Sequence, residues 1–160
     1  MKIIYAAALV LILGACSRLE VSTGSVLPDT NQTKSITLFA LDNYTDTPQA
    51  GMRASNLIEG ILHAGGYKVV NAVSLGNKSL NEKIQIAKSK GSDYMLTGGV
   101  SEWRYKTGID GEPAVSLHCK LVEVTSSKVV WSSTASSNDW GNASIGTTAQ
   151  EMIEIMFQHP

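Results

Sequence analysis

Two strand-then-helix units follow one another between residues 36 and 90, and this succession most constrains what the chain can fold into. Ile36 to Leu41 is a short apolar run that reads as a buried strand, and the polar stretch Asp42 to Thr47 leads out of it. Thr47 followed by Pro48 fits a helix N-cap with proline at the first helical position. Ala54, Leu57, Ile58, Ile61 and Leu62 then recur at helical spacing and predict one amphipathic face, ended by Gly65 and Gly66. Tyr67 to Val73 repeats the strand. Ser79 with Glu82 three residues later has the capping-box pattern ahead of a helix from Leu80 to Lys90, which Gly91 ends. Strand, helix, strand, helix requires parallel pairing, because the helix carries the chain back across the sheet.

The second half reads differently. A third strand runs from Asp93 to Tyr105, and a loop from Lys106 to Glu112 returns the chain into a fourth from Ala114 to Val124. There Val115, Leu117, Cys119 and Leu121 alternate with Ser116, His118 and Lys120, the period-two pattern of a sheet with one face on the core and one in water. Ser126 and Ser127 turn into a fifth strand, Lys128 to Ser136. A final helix carries Ala149, Met152, Ile153, Met156 and Phe157 on one face. The expected order is βαβαβββα, a single-domain α/β sandwich over residues 35–160, with helices packed on a mixed sheet.

The first residues read as an export signal. Lys2 is followed by an uncharged apolar run from Ile3 to Leu13 and then by the small residues Gly14 and Ala15 before Cys16. About 11 apolar residues are too few for a spanning helix, which needs roughly 20. Leu13, Gly14, Ala15 and Cys16 match the bacterial lipobox, in which the cysteine is acylated and becomes the mature N-terminus. Residues 1–15 are thus expected to be a cleaved signal, with Cys16 as the lipidation site. More than one acyl chain gives stable membrane anchoring, at about 0.8 kcal/mol per buried CH₂. Ser17 rather than Asp after the cysteine points to the outer membrane, with the domain on its periplasmic face. Residues 16–34, polar and without sustained apolar period, read as a lipidated flexible tether.

With Cys16 acylated, Cys119 is the one remaining thiol of two cysteines, so no intrachain disulfide supports the fold. The alternation places it in the core as an inert thiol. Removing Lys2 leaves 12 basic residues against 14 acidic, which excludes a generally basic nucleic-acid binder.

An active site is not legible. His63 falls in the first helix, His118 on the wet face of a strand and His159 next to the end, so the histidines suggest no metal centre. No Gly-x-Ser-x-Gly turn or phosphate-cradling loop appears, and no cofactor is indicated. Gly98 and Gly99 inside a strand indicate a bulge or a close backbone approach. Two segments stand out instead. Glu102 to Pro113 packs charges and aromatics, among them Trp103, Arg104, Lys106, Asp110 and Glu112, around a Gly-rich turn; the alternative is an ordinary solvated hairpin. Trp140 sits among Asn138, Asp139, Gly141 and Asn142, outside any periodic apolar segment. An exposed indole there suits a membrane interface; the alternative is a loop tryptophan folded back as a lid.

The run Tyr94 to Val115, which contains Glu102-Trp103-Arg104-Tyr105-Lys106-Thr107-Gly108, followed by Val130-Trp131-Ser132 and Asp139-Trp140-Gly141, resembles the PelC family, outer-membrane lipoproteins of Pel exopolysaccharide export. The lipobox, the length and Pro48-Gln49-Ala50-Gly51 agree with it. The resemblance implies a homo-oligomeric ring of about twelve subunits beneath the outer membrane. It implies that the ring helps guide a cationic amino-sugar polymer to an outer-membrane β-barrel porin with periplasmic repeats during biofilm formation. It also implies membrane insertion of Trp140. Residues 67–100 carry five basic and two acidic side chains and residues 101–160 four and seven, so a cyclic assembly could present one negative mouth. Asp110 and Glu112 are the expected lumen or polymer contacts, and Arg104, Trp103 and Lys106 the structural or intersubunit residues.

Two other classes fit the same residues. One is an outer-membrane lipoprotein that regulates a periplasmic enzyme such as a peptidoglycan synthase; it would need a long linker, whereas 17–34 extends to roughly 60 Å at most. The other is a periplasmic glycan hydrolase, which would need paired catalytic carboxylates.

Overall fold

The computed structural model describes residues 18–29, 35–107, 111–140 and 142–158. Among the described residues seven strands form one mixed sheet: β1 (Arg18–Thr23), β2 (Ser35–Leu38), β3 (Asp42–Asn43), β4 (Lys68–Asn71), β5 (Tyr94–Tyr105), β6 (Pro113–Glu123) and β7 (Val129–Asn138). Three α-helices accompany them among the described residues: α1 (Ala50–Ala64), α2 (Leu80–Ser89) and α3 (Ile145–Gln158). The strand order is β1-β7-β6-β5-β2-β4, with β3 beside the far half of β5. β2 is parallel to β4 and β5, whereas β5, β6, β7 and β1 form an antiparallel series. This is the α/β architecture expected, with parallel pairing early and an antiparallel meander late, and with two further strands, β1 and β3.

α1 and α3 pack on one face around a core that includes Ile36, Leu38, Ile58, Leu62, Leu117, Leu121, Trp131, Met152 and Met156. α2 covers a smaller area of the opposite face, over Phe39, Ala72, Met95 and Val122. Trp131 and Phe157 stack with ring centroids 5.0 Å apart and tie α3 to β7. Cys119 is fully buried, as the alternation predicts, and burial pushes its thiol up to about 12.

The ends of the helices show which local signals held. Ser79 and Glu82 form the capping box reciprocally, and Gly91 adopts φ 69° just past α2. The start of α1 differs from expectation. Its N-cap is Gln49, in the left-handed region at φ 61° and without a side-chain cap, while the Thr47 hydroxyl donates to the carbonyl of Trp103. Tertiary contact has taken the capping group. Gly51 presses against the chain after β2, leaving a β-carbon only 1.9 Å from the Leu41 carbonyl oxygen, and the Ser55 hydroxyl accepts from the Leu41 amide at 2.9 Å.

The reading of residues 16–34 as a flexible tether is corrected over residues 18–23. Arg18–Thr23 form β1, paired along its length with β7 from Arg18 opposite Asn138 to Thr23 opposite Ser133. Val21 packs on the main core, and the hydroxyls of Thr23 and Ser133 are 3.0 Å apart. Edge strands need little apolar content, because only one face meets a core and one side has no neighbour.

Candidate functional site: one end of the sheet

The antiparallel register collects several chain segments at one end of the sheet. β1 begins there and β7 ends there, with Arg18 opposite Asn138; β6 begins there with Ala114 opposite Asn138, and β5 ends there with Tyr105 opposite Pro113. Lys106 and Glu112, the segment holding Trp140 and the start of α3 all lie at this end. The Tyr105 hydroxyl accepts from the Ile145 amide at 3.1 Å and locks the hairpin to α3. In the sequence a single residue, Ser17, separates Arg18 from Cys16.

Trp140 is 44% exposed. The neighbouring backbone is fixed: the Trp140 amide donates to the Asp139 carboxylate at 2.8 Å, and the Ala143 amide donates to the Trp140 carbonyl at 2.9 Å. The ring is therefore presented beside hydrogen-bonded backbone with nearly half of its surface exposed.

The other residues of the Glu102 to Pro113 segment separate by role. Trp103 is a core side chain, 3% exposed and packed with the α1 and α3 layer; its indole N–H meets no acceptor among the described residues. A shift in pairing between Val100 and Glu102 moves Trp103 to the core face. Arg104 pairs with Glu102 of its own chain, Nη2 to Oε1 at 2.9 Å and Nε to Oε1 at 3.0 Å. Lys106 and Glu112 face each other across the hairpin at 3.7 Å. Exposed pairs of this kind are worth about 0–1 kcal/mol each and set geometry more than stability. Cys16, Asp110 and His159 lie outside the described residues.

Two open clefts flank Glu102 on the sheet face that α1 and α3 leave uncovered. One, about 410 Å³, lies between Arg18, Glu20, Lys106 and Ser136. The other, about 400 Å³, lies between Tyr44, Asp46, Ser101, Arg104 and Ser116. Both are lined by hydroxyls and charges, and sequence reasoning missed them because they depend on β1 and on the chain after β3. Of the histidines, His63 is exposed on α1, 4.0 Å from Glu59, and His118 sits half-buried on β6. Burial, with the charge of Lys120 second, holds the His118 imidazole below its ordinary value, and Asp42 opposes them. Among the described residues no three His, Cys, Asp or Glu side chains converge on a metal-sized site, and no helix is long and apolar enough to cross a membrane.

Neither a protein-family model nor a curated protein matches the chain. Solved structures do. A PelC dodecamer from Paraburkholderia phytofirmans is 33% identical at a TM-score of 0.75, covering 86% of this chain and 95% of the other. A single-substitution variant of that dodecamer, in another crystal form, is 32% identical with the same TM-score and coverage. The lipoprotein GNA1162 from Neisseria meningitidis, at 21% identity and a TM-score of 0.57 over 76% of this chain and 94% of its own, shares the fold. Identity at this level over 86% of this chain and 95% of the relative shows that the chain belongs to the PelC family.

Proposed function

We propose that this chain is a non-enzymatic outer-membrane lipoprotein that assembles into a periplasmic ring of about twelve subunits. The ring helps guide a cationic exopolysaccharide to an outer-membrane β-barrel channel during biofilm formation. One observation carries the reading: the strand that leads back to Cys16 and the exposed Trp140 leave the same end of the sheet, as the Arg18–Asn138 register requires. An acyl anchor and an interfacial indole side by side give two weak membrane contacts that act together and fix the domain's orientation. The dodecameric state of the Paraburkholderia relatives supports the ring. Polymer passage then rests on charge attraction, with Asp110 and Glu112 on the hairpin as the negative groups and with no covalent step.

Pairing of residues 18–23 into the sheet leaves less free linker than the regulator reading needs, which counts against a lipoprotein that reaches across the periplasm. The test is the mass of the purified lipoprotein in detergent by light scattering, together with polymer export in cells carrying Asp110→Asn and Glu112→Gln. A discrete species near twelve protomers with export reduced in the double variant supports the proposal. A monomer, or undiminished export, removes the ring or the acidic guide respectively.

A further inference from the structure

A third cavity lies on the α2 side of the sheet, away from the end that carries Trp140. Lys83 projects from α2 onto β5 and is 3% exposed. Its Nζ donates to Thr97 Oγ1 at 2.9 Å and stands 3.6 Å from Asp42 Oδ1, outside hydrogen-bonding distance. An ammonium carries three donors, and a buried charge is well accommodated only when it is both paired and hydrogen-bonded. This one has a single hydrogen bond and one loose ion pair among the described residues. It borders a cavity of about 280 Å³ that Lys78, Lys120 and His118 also line, with Gly98 in the wall. Three ammonium groups thus border a space that holds one carboxylate, Asp42.

We propose that this cavity binds a small oxyanion, a carboxylate or phosphate group, with Lys83 as the buried anchor and Lys78 and Lys120 as the rim. The acceptor oxygens of such a group complete the Lys83 hydrogen bonds and balance the excess positive charge. The same field repels a cationic polymer, so the site is separate from the polymer path.

The experiment is calorimetric titration of the full-length lipoprotein in detergent with inorganic phosphate and with succinate, each against sodium chloride at equal ionic strength. Saturable binding of either probe is expected, and the tighter of the two identifies the group the site prefers. The double variant Lys78→Gln, Lys120→Gln, which changes only rim residues, should weaken that binding about tenfold, the sum of two modest charge interactions. Lys83→Met should abolish it. Heats indistinguishable from the chloride control, or an isotherm the rim variant leaves unmoved, overturn the proposal. If Lys83→Met fails to fold, the rim variant alone decides.

Discussion

The carbonyl oxygen of His118 lies 2.0 Å from where a β-carbon on Gly98 would stand. Backbone cannot yield as a side-chain tip can, so Gly98→Ala forces β5 and β6 apart at the centre of the sheet. A loss of about 3 kcal/mol or more is expected in chemical denaturation, at the upper end for overpacking. Gly60 on α1 has nothing within 4 Å of the same construction, and Gly60→Ala should stabilise by up to about 1 kcal/mol through helix propensity.

Cys119 tests the same region chemically. Only the thiolate reacts readily, and full burial holds this thiol at about 12. Native protein should therefore resist alkylation at neutral pH and label completely in denaturant. Fast labelling of the native state would mean that β6 opens far more readily than its central position allows.

His118 predicts a pH dependence with a definite sign. Its folded-state value is lowered by burial and by Lys120, so between that value and the ordinary 6.5 the unfolded chain binds more protons than the folded one. Stability should fall as pH drops below about 6.5 and level off, as far as this group is concerned, once the folded imidazole is also protonated. Denaturation midpoints measured between pH 8 and 5 should show a flatter profile for His118→Gln.

The two tryptophans of the sheet end should behave oppositely. Trp103→Ala empties a core position and should cost about 3–5 kcal/mol. Trp103→Phe, which also removes an indole N–H without an acceptor, should cost about 1–2 kcal/mol. Trp140→Ala should change stability by no more than about 0.5 kcal/mol, as exposed positions do. In a Cys16→Ser background it should lower binding to lipid vesicles, measured by flotation. Vesicle binding that does not depend on Trp140 would remove the second membrane contact.

Elements whose signals are local were legible in the sequence: the Ser79–Glu82 capping box, the glycine stops after α1 and α2, and the alternation on β6 that buries Cys119. Those that depend on distant partners were not. Thr47 has the chemistry of an N-cap, yet a strand 56 residues away takes its hydroxyl. β1 was hidden by composition, although Leu19, Val21 and Thr23 do alternate with Arg18, Glu20 and Ser22; an edge strand with one shallow apolar contact gives the pattern without the hydrophobicity. Of the candidate site, Trp140 was visible as an aromatic without periodic company. The Lys83 cavity was not, because a lysine on an amphipathic helix ordinarily faces water, and only packing of α2 against Thr97 shows that this one does not.

β1 also changes how the molecule can search for partners. If Cys16 carries the proposed lipid, Ser17 alone would separate it in sequence from a strand built into the sheet, and the domain would sample only the thin layer beneath its membrane. Encounters between copies on the proposed anchor would then take place in two dimensions and with one axis already aligned, which would lower the orientational entropy lost when neighbours join. Closing the proposed ring would become a matter of in-plane rotation, whereas a chain joined to its anchor by a longer flexible segment would have to give up that freedom subunit by subunit.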